Sequence, residues 1–342
     1  MHAVRILLLA LGAGMMALPL SAQVLAFEEL DGWTDDDHLA ALVVFRETCS
    51  ALDDPEWRPL CKLAADLDNS PDAARNFFEL FFKPVIVGDP PALFTGYYEP
   101  ELDGSPVRTP QFAYPIYAKP PELTEGQVWY SREEIDQKGL LNGRNLEIAW
   151  LEDPVDVYFL QVQGSGRIRM MDGRVIRVGY AAKNGQPYRS IGQELVDRGA
   201  MTLSEASAQS IRAWVKANGT SGQDLLAHNP SYVFFRKLRD MSADKGPIGA
   251  MGRSITPMRS VAIDPAYTPL GAPVWVEKDG GSPIRALMIA QDTGGAIKGA
   301  QRADIFYGTG WDAGEAAGMV KDPGRLIQLL PIDRAYAMLS GD

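Results

Sequence analysis

The sequence predicts a mainly β protein with peripheral α-helices, in which a small barrel is interrupted by a second β unit. Three observations carry this expectation. Residues 27–85 read as helical, whereas from Val85 onward short β-like runs alternate with Gly and Pro. After residue 255 come five β-like segments, "RSVAID", "APVWVE", "RALMIAQD", "ADIFYG" and "GRLIQLLP", at the spacing of a small barrel rather than a parallel doubly wound sheet. No long flexible linker separates these stretches, as expected when one domain interrupts another, and 342 residues suffice for two domains of about 150 each.

Taken in order, residues 1–22 read as a signal peptide: Arg5, an uncharged run from Ile6 to Ala17, Pro19, then the small pair Ser21-Ala22. The run is shorter than the roughly 20 apolar residues of a membrane span, so export as a soluble protein is expected over a retained anchor. No cysteine lies near the junction, so a lipoprotein anchor is not expected. In the helical region Thr34 is the expected N-cap of a helix with an apolar stripe at Leu39, Leu42, Val43 and Phe45. Ser70 caps a second helix, with Pro71 at its first position and a stop before Pro84. Cys49 and Cys61, the only cysteines, fit either a disulfide between two helices or a pair of buried thiols. Further on, "DVYFLQVQGSGRIRM" and "GRVIRVGYAA" read as a hairpin turning at "MDG". "TLSEASAQSIRAWVKANG" reads as a helix capped by Thr202 and Glu205 and closed by Gly219, and "WDAGEAAGMV" as a short helix.

Composition excludes several functions. Without residues 1–22, which carry Arg5 and no acid, 32 basic residues face 44 acids, a net charge of −12. Such a surface repels nucleic acid, and no basic patch compensates. Only three histidines occur, His2, His38 and His228, so histidine-rich metal sites and Ser-His-Asp schemes are not expected, and neither a metal nor a cofactor is expected. "GPIGAMGRS" and "GGAIKGAQ" match no phosphate-binding fingerprint and read as turns. "QGSGR" around Ser165 is not a nucleophile elbow; it reads as a polar hairpin tip or a substrate-contact loop. "AQDTGG" has the aspartic-protease pattern but lacks the second such motif that chemistry requires. The acid runs at 35–37 and 277–281 lack the ligand spacing of a calcium loop. Carboxylates working on a sugar remain. Phe94, Tyr97, Tyr98, Tyr232 and Phe234, with the amides Gln161 and Gln163, fit either a glycan groove or core packing.

These residues carry a resemblance. "SVAIDPAYTPLGAPVWVE", "AQDTGGAIKGAQRADIFYGTG" and "AGEAAG" resemble the three-aspartate domain, whose aspartates would be Asp264, Asp292 and Asp304. "FTGYYEP", "YFLQVQGSGRI" and "NPSYVFF" resemble the companion region of the membrane-bound lytic murein transglycosylase A family, and together the motifs cover about residues 90–330. The resemblance implies a double-psi β-barrel built with the helices from residues 23–103 plus 239–342, an inserted β-domain at 104–238, and a glycan groove between them. It implies cleavage of the MurNAc–GlcNAc β-1,4 bond of peptidoglycan, leaving a 1,6-anhydro-MurNAc end, in the periplasm. The chain departs from the family's membrane-bound founding member in lacking a lipid-bearing cysteine near its start. Peptidoglycan glycan strands are the expected partner, cell-wall synthesis or division proteins are unspecified further partners, and a monomer is expected.

Ordinary glycosidases need two working carboxylates. If the MurNAc 6-hydroxyl attacks C1 within the same sugar, one acid suffices, because intramolecular attack carries a large effective-molarity advantage. Asp304, flanked by Ala303, Ile305, Phe306 and Tyr307, is the expected acid and then base, matching the family's proposed acid. Asp292, followed by Thr293-Gly294-Gly295, is the supporting carboxylate in an Asx-type turn. Asp264, before Pro265, is mainly a scaffold acid; with Tyr97, Tyr98 and Gln163 it completes the expected substrate contacts. A lysozyme-like hydrolase and a non-catalytic peptidoglycan-binding protein are the competing readings.

Overall fold

The computed structural model describes residues 21–239, 241–242 and 245–340; the signal-peptide expectation, apart from Ser21 and Ala22, lies outside the described residues. The chain opens with β1 (Ala22–Val24) and two 3-10 turns, then forms α1 (His38–Cys49), α2 (Trp57–Asp66) and α3 (Pro71–Phe81). The cap of α1 is Asp37, whose carboxylate accepts the Ala40 N–H at 3.0 Å, rather than Thr34. Thr34 lies inside a 3-10 turn that buries Trp33, and Asp36 is held by Arg259, so the helix starts three residues later. Ser70 and Pro71 start α3 as expected. The cysteines are paired: Cys49 and Cys61 form a disulfide with an S–S distance of 2.09 Å, joining the end of α1 to α2. Phe45, Trp57, Phe77, Phe78 and Phe82 pack into one aromatic cluster, which continues into Trp275, Leu287, Ile289 and Ile327 of the strands behind it. The helical layer is thereby fastened to the barrel by apolar burial.

After α3 come β2 (Phe82–Val87) and β3 (Ala92–Glu99), and the chain then leaves this sheet. The second unit comprises β4 (Glu101–Ser105), β5 (Tyr114–Tyr117), α4 (Arg132–Gln137), β6 (Glu147–Leu151), α5 (Pro154–Gln163), β7 (Ser165–Met170), β8 (Val175–Lys183), α6 (Ile191–Asp197), α7 (Ala208–Ala217), α8 (Gly219–His228) and β9 (Val233–Leu238). The chain returns to the first sheet with β10 (Ser260–Ile263), β11 (Pro273–Lys278), β12 (Ile284–Thr293), β13 (Arg302–Thr309), α9 (Trp311–Gly318), β14 (Lys321–Pro331) and α10 (Ile332–Ser340). All five β-like segments expected after residue 255 are strands, and "WDAGEAAGMV" holds the expected helix.

The first sheet closes on itself. β14, β11, β12, β10, β13 and β3 follow in order, and the start of β14 pairs back onto β3, with Lys321 opposite Thr95 and Gly324 opposite Ala92. The result is a closed six-stranded barrel, filled by Phe94, Val261, Ile263, Val276, Met288 and Ile305. β2 and β1 extend β14 outward. The second sheet runs β5-β6-β4-β7-β8-β9, with α5 packed on it and α6 to α8 beyond.

Two expectations in the second unit are corrected. "DVYFLQVQ" is helix α5, not a strand; Asp153 caps it by accepting the Val155 N–H at 2.9 Å, Pro154 supplies the first turn, and Gly164 ends it at φ 77°. These end signals outweigh the β propensity of the aromatic and β-branched residues between them. The hairpin is β7–β8, turning at the expected "MDG". Thr202 and Glu205 do bond, Thr202 N to Glu205 Oε2 at 2.8 Å, but they close a turn ahead of a helix that Ser207 caps; Gly219, at φ 50°, stands just past the Asn218 C-cap of α7 as expected and also opens α8.

Candidate active site

Strand register builds the site. On β10, Ala262 lies opposite Asp292 of β12 on one side and Asp304 of β13 on the other. Asp304 in turn lies opposite Thr95 of β3, and Thr95 opposite Lys321 of β14. One row across five strands therefore reads Asp292, Ala262, Asp304, Thr95, Lys321. With neighbouring strands ~4.8 Å apart, the two carboxylate-bearing backbones are separated by about 10 Å, with only a methyl group between them. Along β3 the alternation of side chains places Thr95, Tyr97 and Glu99 on one face. Gly96 points the other way, where a Cβ would stand 2.7 Å from Cα of Ala317; its absence lets α9 lie directly against the strand.

Asp304 Oδ1 accepts a hydrogen bond of 2.5 Å from Thr95 Oγ1, and Arg302 Nη2 donates to that hydroxyl at 2.8 Å. Oδ2 of Asp304 carries no hydrogen bond among the described residues. Burial pushes the Asp304 carboxyl above the usual carboxylate range, with Thr95 and Arg302 opposing the shift. Asp292 is more heavily bonded: Oδ1 accepts the backbone N–H groups of Ala250 and Thr293, both at 2.9 Å, and Oδ2 accepts the Tyr97 hydroxyl at 3.0 Å. Burial still raises it to about 6 against those three donors, with the nearby charge of Asp304 adding to the rise. The Tyr97 hydroxyl, buried beside both carboxylates, is held well above its ordinary value by desolvation and then by their charge.

Asp264 lies outside this row. Burial opposes its ionisation, but the Gly299 N–H at 2.9 Å, the Ala266 N–H and the Lys298 ammonium outweigh that and hold it below the usual range. Its oxygens hold the 298–299 turn. Tyr97 packs its ring on Phe306 at 5.3 Å and serves Asp292. Tyr98 points to the opposite face, its ring against Gly314, while its backbone N–H donates to Gln163 Oε1 at 3.0 Å. Gln163 thus reaches from α5 to steady β3. For Phe94, Tyr232, Phe234 and Gln161, which fitted groove or core equally, the structure decides for core: all are buried, with Gln161 Oε1 accepting from Arg132 at 2.6 Å. Ser165 is also buried, at the start of β7, so it is neither an exposed tip nor a contact loop.

Sequence reasoning missed Thr95, Arg302 and the Ala250 N–H as carboxylate partners, and Glu99 with its two arginines. The polar residues at every second position of "TGYYE" were the available signal for the β3 face. The "GPIGAMGRS" segment is a turn as expected, but one that delivers a donor to Asp292. Beside the row, a cleft of 790 Å³ opens between Pro91, Leu93, Lys321 and Pro323 of the barrel and Thr202, Leu203 and Ser204 of the second unit. Because Lys321 lies opposite Thr95, this cleft begins at the end of the carboxylate row.

Two partly buried carboxyls with raised proton affinity therefore stand in one row on the closed barrel, the kind of arrangement that makes a candidate acid–base site. The comparisons give the family. Residues 93–236 match the MltA specific insert domain and residues 259–330 match the 3D domain. Membrane-bound lytic murein transglycosylase A of Escherichia coli K12 is 38% identical over 260 residues, covering 72% of this chain and 68% of its own length. Its counterpart from Vibrio cholerae is 36% identical over 247 residues, covering 69% of this chain and 65% of that protein. The crystal structure of a membrane-bound lytic murein transglycosylase from Agrobacterium tumefaciens superposes with a TM-score of 0.83 at 33% identity, covering 93% of this chain and 99% of that one. E. coli MltA with bound chitohexaose superposes with a TM-score of 0.72 at 30% identity, covering 88% of this chain and 90% of that one. The chain belongs to the membrane-bound lytic murein transglycosylase A family. Among the described residues no helix is long and apolar enough to cross a membrane.

Proposed function

We propose that the protein is a peptidoglycan lytic transglycosylase that cleaves the MurNAc–GlcNAc β-1,4 bond and closes a 1,6-anhydro ring on MurNAc. The observation that carries this reading is the unequal bonding of the two carboxyls. Asp292 already accepts three hydrogen bonds, from donors that favour its anion, so it is poorly placed to activate a water. Asp304 has one oxygen held by Thr95 and the other free to carry a proton. One mobile proton beside one fixed negative charge suits a mechanism in which the substrate supplies its own nucleophile.

In this mechanism Asp304 Oδ2–H protonates the glycosidic oxygen as the C1–O bond breaks. The developing positive charge on the sugar is met by the Asp292 carboxylate. Asp304, now ionised, takes the proton of the MurNAc 6-hydroxyl as that oxygen bonds to C1, which restores the acid. No water enters the product. Family membership and the chitohexaose bound to the E. coli relative support a glycan as the substrate. The value of about 6 at Asp292 favours a second assignment, in which that carboxyl carries the proton; the two single variants separate the assignments. In the same reading the barrel is of the double-psi kind, residues 104–238 form the insertion, and residues 1–22 direct export to the periplasm.

The test is the mass of muropeptides released from purified sacculi. Products one water lighter than hydrolysis products support the transglycosylase. Reducing-end MurNAc would make the protein a hydrolase, and sacculus binding without release would make it a binding protein.

A further inference from the structure

The chain crosses between the barrel and the second unit twice, and one buried cluster grips both crossings. The outgoing crossing leaves from Glu99, the last residue of β3, which is 0% exposed. Its carboxylate accepts from Arg167 Nε at 2.9 Å, from Arg177 Nε and Nη2 at 3.1, 2.8 and 3.0 Å, and from Thr309 Oγ1 at 2.9 Å. Both arginines belong to the second sheet, on β7 and β8. The same two guanidinium groups hold the returning crossing: Arg177 Nη1 donates to the Ser242 carbonyl at 3.1 Å, and Arg167 Nη2 to the Lys245 carbonyl at 3.3 Å.

Each gripped segment also reaches Asp292. Two residues before Glu99, on the same face of β3, Tyr97 donates to Asp292 Oδ2; five residues after Lys245, the Ala250 N–H donates to Oδ1. We propose that Glu99, clamped by Arg167 and Arg177, is a positioning residue that sets the two crossing segments so that Tyr97 and Ala250 meet Asp292 together. A bidentate arginine–carboxylate contact fixes orientation as well as distance, and a hydrogen bond weakens steeply once its angle is lost. A buried ion pair adds little net stability over well-packed apolar residues, so the test reads geometry rather than stability. Glu99 touches no reacting atom, so its effect is transmitted through the carboxylate pair, and the inference rests on the catalytic reading of that pair.

Two variants test it in the full chain: Glu99→Gln, which keeps size and removes charge, and Arg177→Lys, which keeps charge and removes the fork. The first readout needs no substrate. The Asp292 carboxyl is titrated by ¹³C NMR, with its neighbours Asp304 and Tyr97 intact. Loosening the Tyr97 and Ala250 donors moves the Asp292 midpoint upward by about one pH unit, a ten-fold gain in proton affinity. The second readout is turnover of sacculi, where kcat falls about 10- to 100-fold with a smaller change in KM. An unchanged Asp292 midpoint and unchanged kcat in folded variants that merely melt earlier would overturn the proposal. If Glu99→Gln does not fold, Arg177→Lys decides alone. A wild-type protein releasing no anhydro ends would sink the catalytic reading instead, and the titration would still decide the positioning role.

Discussion

Asp292 and Asp304 stand on either side of Ala262 in a single row across three adjacent strands, with the buried Tyr97 hydroxyl beside both. Burial raises the proton affinity of both carboxyls, and the charge of Asp304 adds a smaller rise at Asp292. The donors that oppose the rise differ: three hydrogen bonds reach Asp292, and Thr95 alone reaches the Asp304 carboxyl among the described residues.

Thr95→Val removes the only hydrogen bond to the Asp304 carboxyl among the described residues. That bond favours the anion, so its loss raises the Asp304 pKa. A hydrogen bond to a charged group contributes about 1.5–3 kcal/mol, enough to move the titration measurably. The acid must be protonated to act, and the alkaline limb of the kcat–pH profile should therefore move upward. An unmoved limb would remove Asp304 as the acid that this limb reports.

Asp292 links the site to stability. Its folded pKa of about 6 lies above the unfolded value of 3.8, so the folded state binds the extra proton between about pH 4 and 6. The sign follows directly: the stabilisation is fully present below about pH 4 and is lost as pH rises through about 6. Asp292→Asn has no such titration. Its stability relative to wild type should rise across that window by roughly 3 kcal/mol, about 1.36 kcal/mol per pKa unit. Denaturant unfolding at pH 4 and pH 7 measures this, and a difference independent of pH would contradict it.

The disulfide between Cys49 and Cys61 closes a loop of sequence separation 12 within the helical layer. Loop-closure entropy of that length corresponds to about 3 kcal/mol. Cys49→Ser/Cys61→Ser should lower the melting temperature measurably while leaving released products unchanged in kind, because the bond ties α1 to α2 and the hydrogen bonds of both carboxyls come from other residues. A changed product would place the helical layer in the chemistry.

The barrel was largely legible because its strands announce themselves locally, as apolar runs such as "RALMIA" bounded by Gly, Pro and charged residues. Helix α5 was not, since its interior is rich in Val, Tyr and Phe and only its ends, Asp153-Pro154 and Gly164, speak for a helix. The three aspartates were legible as motifs, but their separation into one row and one turn was not. That separation depends on register, including the irregularity between Val261 and Ala262, which no local pattern encodes. Glu99 escaped for a similar reason: its arginines lie 68 and 78 residues away in the chain and meet it only after two sheets have formed.

The most direct test of the central claim compares muropeptides released from sacculi by the wild-type, Asp304→Asn and Asp292→Asn proteins, read by mass spectrometry. Asp304 as the acid predicts anhydro-MurNAc ends from wild type and a loss of at least 10²-fold in Asp304→Asn, with Asp292→Asn retaining the larger residual rate. Anhydro products persisting in a folded Asp304→Asn protein, with none from Asp292→Asn, would contradict the account and transfer the proton to Asp292.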